Sequence, residues 1–140
     1  MSKRSLAFAN LFLVLAIFTA DRFAQPYSWY YHYWWFDMIM HFAGGFFVAL
    51  TAFYLYFHSN YVKPLHDKAG FVILLALGAG AVVGIFWEFF EFAIDLYTRR
   101  TFNGITIVNQ KVGDTLSDLF FDMFGAVTAS VIFLRLWQKK

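Results

Sequence analysis

Residues 71–97 read FVILLALGAGAVVGIFWEFFEFAIDLY, and they are the strongest indicator of the fold because they are apolar almost throughout and their first charged residue is Glu88. At about 1.5 Å per residue, a helix of this length exceeds the roughly 30 Å hydrocarbon core of a bilayer. The stretch therefore predicts a membrane-spanning helix that tilts or protrudes. Its last turns carry Glu88, Glu91 and Asp95 at steps of three and four residues, which places these acids on one helical face.

Three further apolar stretches lie at Leu6–Ala20, Met38–Phe57 and Thr115–Trp137. The chain of 140 residues is 61% hydrophobic and 24% aromatic, with a mean hydropathy of +0.57, which is more apolar surface than a soluble domain of this size hides. We therefore predict an all-α integral membrane four-helix bundle that forms a single domain over residues 1–140. The predicted spans are about 6–24, 38–57, 71–98 and 115–137.

The first stretch follows Lys3 and Arg4, as the apolar part of a signal peptide would. Phe18 would stand at the −3 position of a cleavage after Ala20, where a small residue is needed, so a retained anchor helix is favoured. With four spans, seven of the 11 Lys and Arg residues lie on the side of the termini. The positive-inside rule then predicts cytoplasmic termini in a bacterial inner membrane, with the opposite helix ends at the periplasmic or outer face.

Two outer connections carry recognisable patterns. Eight aromatic residues between Tyr27 and Phe36 predict a segment at the headgroup layer, with a platform for carbohydrate or lipid headgroups as the alternative. Asn103-Gly104, between Thr101-Phe102 and residues 105–108, is typical of a tight hairpin turn. We expect a small hairpin flap over the outer ends of the helices.

Composition excludes several classes of function. The absence of Cys excludes disulfides, thiolate metal sites and a cysteine nucleophile, so any metal must use oxygen and imidazole ligands. A net charge of +2 and the apolar composition exclude a nucleic-acid partner. No phosphate-binding glycine loop or nucleophile elbow occurs.

The acidic residues are concentrated at one side of the predicted bundle, since eight of the nine fall at the outer ends of helices. They are Asp21, Asp37, Glu88, Glu91, Asp95, Asp114, Asp118 and Asp122. Small residues continue the same helical faces, among them Gly44, Gly84 and Gly125, which allows close approach of the helices. Carboxylates brought together in a membrane require protons or cations, so the pattern predicts an acidic pocket that binds a cation.

Oxygen ligands with one imidazole favour Mg²⁺ or Mn²⁺, with Ca²⁺ or Zn²⁺ also compatible, and one or two ions. The predicted metal ligands are Asp37, His41, Glu88, Glu91, Asp118 and Asp122. His41 and Asp37 are also the predicted catalytic pair, with His41 as ligand or general base and Asp37 as ligand or as the residue that orients His41.

Five more charged residues complete the candidate site. Asp95 and Asp114 are secondary acidic residues near its mouth. Arg99, Arg100 and Lys111 are either substrate-binding groups for an anion or ordinary solvated loop charges.

Three ordered blocks carry a family resemblance: Asp37-x-x-x-His41-Phe42-x-x-Gly45, Trp87-Glu88-x-x-Glu91, and Gly113-Asp114-Thr115-x-x-Asp118-x-x-x-Asp122-x-x-Gly125. Together they resemble the VanZ-like and YjdF-like small bacterial inner-membrane proteins. The resemblance implies a helical membrane protein of the cell envelope and supplies no reaction. The two glutamates of the second block and Asp122 make this chain more similar to the YjdF-like pattern.

These features predict a metal-dependent membrane enzyme that hydrolyses or transfers a phosphate-containing group on a lipid or polyprenyl carrier at the outer leaflet. Its partners would be membrane lipids and the lipid-phosphate substrate. The sequence is also compatible with a homo-oligomer or with membership of a membrane complex. The alternatives are a proton- or cation-coupled transporter and a noncatalytic subunit of a membrane complex. The inner halves of the spans contain no acid, which weighs against a conduction route.

Overall fold

The computed structural model of the protein describes residues 3–58, 69–98, 100–102, 105–107 and 112–137. Four long helices are present: α1 (Lys3–Ala24), α3 (Trp34–His58), α4 (Ala69–Thr98) and α5 (Val112–Trp137). All four are long and apolar enough to cross a membrane, which confirms the predicted all-α membrane bundle. Each helix contains the corresponding predicted span and begins before it.

Helices α3, α4 and α5 contact one another, whereas α1 packs along α3. The inner part of the bundle is filled by buried apolar side chains, and the rings of Phe53 and Phe133 stack there with centroids 4.7 Å apart. The other buried members of this layer are Leu6, Ala49, Leu50, Val72, Ala76, Ala126 and Ala129. These residues close the centre of the bundle on the side away from the acids.

Glycines allow α3 and α5 to touch backbone to backbone. A Cβ on Gly45 would overlap the carbonyl of Asp122, and a Cβ on Gly125 would overlap the carbonyl of Phe42. On α4, a Cβ at Gly80 would lie 3.0 Å from the Cβ of Ala126. This close approach brings the acidic faces of the three helices to one depth.

A polar contact fastens α1 to the bundle. The hydroxyl of Thr51 in α3 donates a 2.8 Å hydrogen bond to Oδ1 of Asn10, whose Nδ2 donates to the carbonyl of Leu6 at 3.0 Å. The opposite side of α1 exposes large apolar side chains such as Phe8 and Phe12, as a lipid-facing surface does.

The aromatic connection is helical rather than a loop. A 3₁₀ turn (Gln25–Tyr27) and the short helix α2 (Trp29–His32) meet at Ser28, whose φ of 53° is left-handed and turns the chain between them. The Trp29 ring makes edge contacts with Phe23, Tyr33 and Phe36, with centroids 5.4 to 5.8 Å apart. These edge contacts pack Trp29 against its neighbours at the end of α1, while Tyr31 and Trp34 stay largely exposed.

The predicted hairpin is confirmed by two short strands, β1 (Arg100–Phe102) and β2 (Ile105–Ile107). They pair antiparallel with Phe102 opposite Ile105. The turn residues Asn103 and Gly104 lie outside the described residues, and the placement of the hairpin as a flap stays a prediction.

Candidate metal centre

His41 lies at the centre of the acidic pocket, with only 6% of its surface exposed. It occupies the outer third of α3, about 10 Å along the helix from Trp34 at about 1.5 Å per residue. Three carboxyl groups from the neighbouring helices are equally buried: Glu88 of α4, and Asp118 and Asp122 of α5. An imidazole at this depth therefore meets acids from three helices.

The two ring nitrogens of His41 face different acids. Nε2 lies 3.7 Å from Oδ1 of Asp37, one turn earlier in α3, and 3.9 Å from Oδ1 of Asp118. Nδ1 lies 3.4 Å from Oδ2 of Asp122. The i,i+4 spacings of Asp37 with His41 and of Asp118 with Asp122 produce this arrangement, because each pair shares one helical face.

Two sets of side chains bring possible metal-ligand atoms within 4.8 Å of one another. The first set is Asp37, His41 and Asp118, and the second is His41, Glu88 and Glu91. His41 belongs to both sets, so four of the other five predicted ligands surround its imidazole.

The donor set and spacing fit a divalent ion. Octahedral ligands at about 2.1 Å from a metal stand about 3.0 Å apart when adjacent and about 4.2 Å apart when opposite. The 3.7 and 3.9 Å separations around Nε2 fall between these values, as the separations of ligands to one ion would. Carboxylate oxygens with one imidazole suit Mg²⁺ and Mn²⁺, and remain compatible with Ca²⁺ and Zn²⁺.

The local charge also favours a cation. His41 pairs with the carboxylates of Asp37, Asp118 and Asp122, while Arg22 contacts Asp21 at the end of α1. Several carboxylates around one imidazole, away from bulk water, repel one another. Protons or a bound cation must balance that repulsion.

Glu91 is oriented by a residue that sequence analysis did not assign to the site. Nε1 of Trp87 donates a 2.9 Å hydrogen bond to Oε1 of Glu91. The signal was the spacing of four residues, which places the indole and the carboxylate on the same face of α4.

The remaining predicted residues are exposed, make other contacts or lie outside the described part. Asp114, in the first turn of α5, is exposed, and the side chain of Asp95 is outside the described part of α4. Arg99 and Lys111 lie outside the described residues, and only the backbone of Arg100 is described, in β1. Asp21 makes separate hydrogen bonds with Arg22, Gln25 and Tyr30 at the end of α1.

Comparison with known proteins gives a family and no chemistry. The chain is 28% identical over 128 residues to an uncharacterized protein of Thermotoga maritima; the match covers 90% of this chain and 62% of the relative. The chain thus spans less than two thirds of that relative's length. No solved structure matches the chain. The whole of the sequence, residues 1–140, matches the family described as "Predicted membrane protein (DUF2238)", and the chain belongs to that family.

Proposed function

We propose that the protein is a metal-dependent membrane enzyme that hydrolyses or transfers a phosphate-containing group on a lipid or polyprenyl-linked envelope substrate. One observation carries the proposal: donor atoms of Asp37, Glu88, Glu91 and Asp118 converge on the buried imidazole of His41 from three helices. This convergence supplies the oxygen and nitrogen donors of a divalent-metal site at one end of a membrane bundle.

In this proposal Glu88, Glu91 and Asp118 hold one or two ions, with Mg²⁺ or Mn²⁺ favoured. A bound divalent ion neutralises phosphate charge, activates water and stabilises a leaving oxygen. Asp37 and His41 complete the coordination, or else His41 accepts the proton of the attacking water while Asp37 orients the ring. Arg99, Arg100 and Lys111 follow the acidic ends of the helices along the chain and would bind the substrate anion.

One end of the pocket is accessible to water and the other is closed by apolar side chains, which supports a reaction at the membrane surface. Asp37 and Glu91 are partly exposed, whereas His41 and Asp118 lie deeper and are buried. Below them the Phe53–Phe133 stack closes the centre of the bundle. A headgroup and water would therefore enter from the end of the helices that carries the acids.

We further propose that this end faces the periplasm or outer side of a bacterial inner membrane and that both termini are cytoplasmic. The distribution of Lys and Arg supports this orientation. The resemblance of the three sequence blocks to VanZ-like and YjdF-like proteins supports a role in the cell envelope. Membrane lipids are then the nearest source of a phosphate-containing substrate.

A cation transporter is the second candidate, since the same acids would form an ion-binding station. The packed apolar layer on the inner side weighs against it, because a conduction route needs polar groups through the full depth. In the third candidate, a noncatalytic subunit, basic residues of a partner would neutralise the acids.

Elemental analysis of detergent-purified protein tests the metal site directly. We expect a stoichiometric divalent ion in the wild type, its loss in Glu88→Gln and Asp118→Asn, and its retention in Asp114→Asn, which removes an exposed acid of the same helix. Circular dichroism checks that the variants keep their helices. A metal-free wild type whose folding is unchanged by Glu88→Gln and Asp118→Asn would overturn the proposal.

Two functional assays separate the candidates once metal is found. Phosphate release from polyprenyl phosphates or phospholipids in mixed micelles, lost in Asp118→Asn, supports the enzyme. Metal-dependent ion flux into liposomes without phosphate release would instead support the transporter.

A further inference from the structure

Asp122 differs from Asp37 and Asp118 in the ring nitrogen of His41 that it faces. Its Oδ2 lies 3.4 Å from Nδ1 of His41, while Asp37 and Asp118 approach Nε2 on the other edge of the ring. The two nitrogens of one imidazole point in divergent directions. A single ion bound at Nε2 therefore leaves Nδ1 to Asp122.

The carboxylate of Asp122 sits in a cradle formed by two glycines from the facing helices. A Cβ on Gly44 of α3 would lie 3.8 Å from Oδ1, whereas a Cβ on Gly84 of α4 would overlap Oδ2 and lie 3.2 Å from Cγ. The side chain is thus enclosed between α3 and α4 and is buried, with 6% of the residue exposed. Gly84 keeps open the space that lets this carboxylate reach His41.

The chemistry of the pair sets the direction of the hydrogen bond. A hydrogen bond from Nδ1 to an ionised Asp122 would place the ring proton on Nδ1, because an ionised carboxylate only accepts hydrogen bonds. When the ring is neutral, as metal binding requires, its lone pair then lies on Nε2, the nitrogen that faces Asp37 and Asp118. A carboxylate on the far nitrogen of a metal-binding histidine orients the ring and increases its basicity as a ligand.

We propose that Asp122 is a positioning residue that holds the proton of His41 on Nδ1 and thereby directs Nε2 to the metal. The inference rests on the proposed function and replaces the ligand role that the spacing of Asp122 predicts. Gly44 and Gly84 contribute to this role, because the space they leave fixes the position of the Asp122 carboxylate.

Nuclear magnetic resonance of ¹⁵N-histidine-labelled, metal-free protein in detergent micelles tests the hydrogen bond, with His41→Gln to assign the signal. We expect a slowly exchanging Nδ1 proton at His41 in the wild type. It should be lost in Asp122→Ala and also in Gly84→Ala, which displaces the carboxylate without removing it. Gly78→Ala is the matched control on the same helix, since a Cβ there meets open space, and it should keep the proton.

Metal binding provides the second readout. Titration with Mn²⁺ should show affinity weakened about 10- to 100-fold in Asp122→Ala and Gly84→Ala, with unchanged stoichiometry, as expected for a partner outside the coordination sphere. Addition of diamagnetic Zn²⁺ to the wild type should shift the Nε2 signal and leave Nδ1 protonated.

The failures of the two proposals are distinguishable. Wild-type protein that binds neither Mn²⁺ nor Zn²⁺ overturns the proposed function. An Nδ1 proton that persists in both Asp122→Ala and Gly84→Ala, or a proton found on Nε2 instead, overturns the positioning role even where Mn²⁺ binds.

Discussion

The indole of Trp87 and the carboxylate of Glu91 form one unit on α4, joined by a 2.9 Å hydrogen bond from Nε1 to Oε1. Glu91 lies near the mouth of the pocket and is only partly buried. Trp87 is 49% exposed, so the indole lies along the outside of the bundle. The bond links a surface aromatic residue to the proposed metal ligands.

Trp87→Phe removes this donor and keeps an aromatic ring. We expect Mn²⁺ affinity to fall about tenfold, because partners of metal ligands contribute on this scale when they orient a carboxylate. Isothermal titration in detergent measures the change. Trp35→Phe, in the aromatic segment before the pocket, is the control and should bind Mn²⁺ as the wild type does. Equal affinity in both variants would show that Glu91 needs no orientation by the indole.

The backbone contact between α3 and α5 predicts a strong effect of a single methyl group. Gly125→Ala places a Cβ on the Phe42 carbonyl, and both partners are backbone, so the helices must separate. We expect a loss of about 1–3 kcal/mol in the free energy of unfolding, the usual cost of overpacking. Unfolding by sodium dodecyl sulfate, followed by circular dichroism, measures it.

Gly78→Ala serves as the control for that experiment, since its new Cβ meets open space. Alanine is favoured over glycine within a helix by about 1 kcal/mol, so this variant should be as stable as the wild type or more so. Matching losses in both variants would contradict the close contact at Gly125.

The hydrogen bond from Thr51 to Asn10 predicts how firmly α1 is held. Thr51→Val keeps the side-chain shape and removes the donor, which should lower the free energy of unfolding by about 0.6 kcal/mol, the average for interhelical hydrogen bonds in membranes. Thr128→Val is the matched control, because the Thr128 hydroxyl bonds to the Phe124 carbonyl of its own helix. A larger loss in the control than in Thr51→Val would refute this attachment of α1.

The environment of Tyr30 leads us to expect that the free energy of unfolding falls at alkaline pH. Its hydroxyl donates a 3.0 Å hydrogen bond to Oδ1 of Asp21, and burial together with this carboxylate raises the pKa of the Tyr30 phenol. Since folding favours the neutral phenol, its stabilising effect is complete below the ordinary tyrosine pKa of about 10 and is lost as pH rises through the higher folded value.

Tyr30→Phe should therefore lower the free energy of unfolding by about 1 kcal/mol at neutral pH, and the deficit should shrink above about pH 10. Denaturant titrations at several pH values measure the difference from the wild type. Tyr31→Phe, at a side chain that is 73% exposed, should show no such trend. A Tyr30→Phe deficit that stays constant across the alkaline range would contradict the raised pKa.

Local patterns predict much of this fold for a simple reason. A long apolar stretch such as residues 71–97 has one favourable environment, the bilayer, and one way to satisfy its backbone there, the helix. The Asn103-Gly104 pair likewise predicts the hairpin from adjacent residues alone. The aromatic connection was less predictable, because its short helical turns depend on contacts of Trp29 with Phe23, Tyr33 and Phe36.

For the candidate site, spacing along the helices predicts which acids share a face, and the structure brings Asp37, Glu88, Glu91, Asp118 and Asp122 around His41. Spacing places Asp114 on one face with Asp118 and Asp122, and it does not tell which nitrogen of His41 each acid faces. In the structure Asp114 lies in the first turn of α5 and is exposed, whereas Asp118 and Asp122, one and two turns further along, are buried.

Hydropathy and helical periodicity are local properties, so the sequence alone predicts four membrane-spanning helices with their acids at one end. The folded structure adds that the acids meet at His41, that Asp122 faces one ring nitrogen while Asp37 and Asp118 face the other, and that α1 packs along α3. These outcomes depend on the rotation and separation of helices about one another. The rotation and the separation of the helices are fixed by contacts between glycines and the backbone of distant segments, such as Gly45 with Asp122 and Gly125 with Phe42.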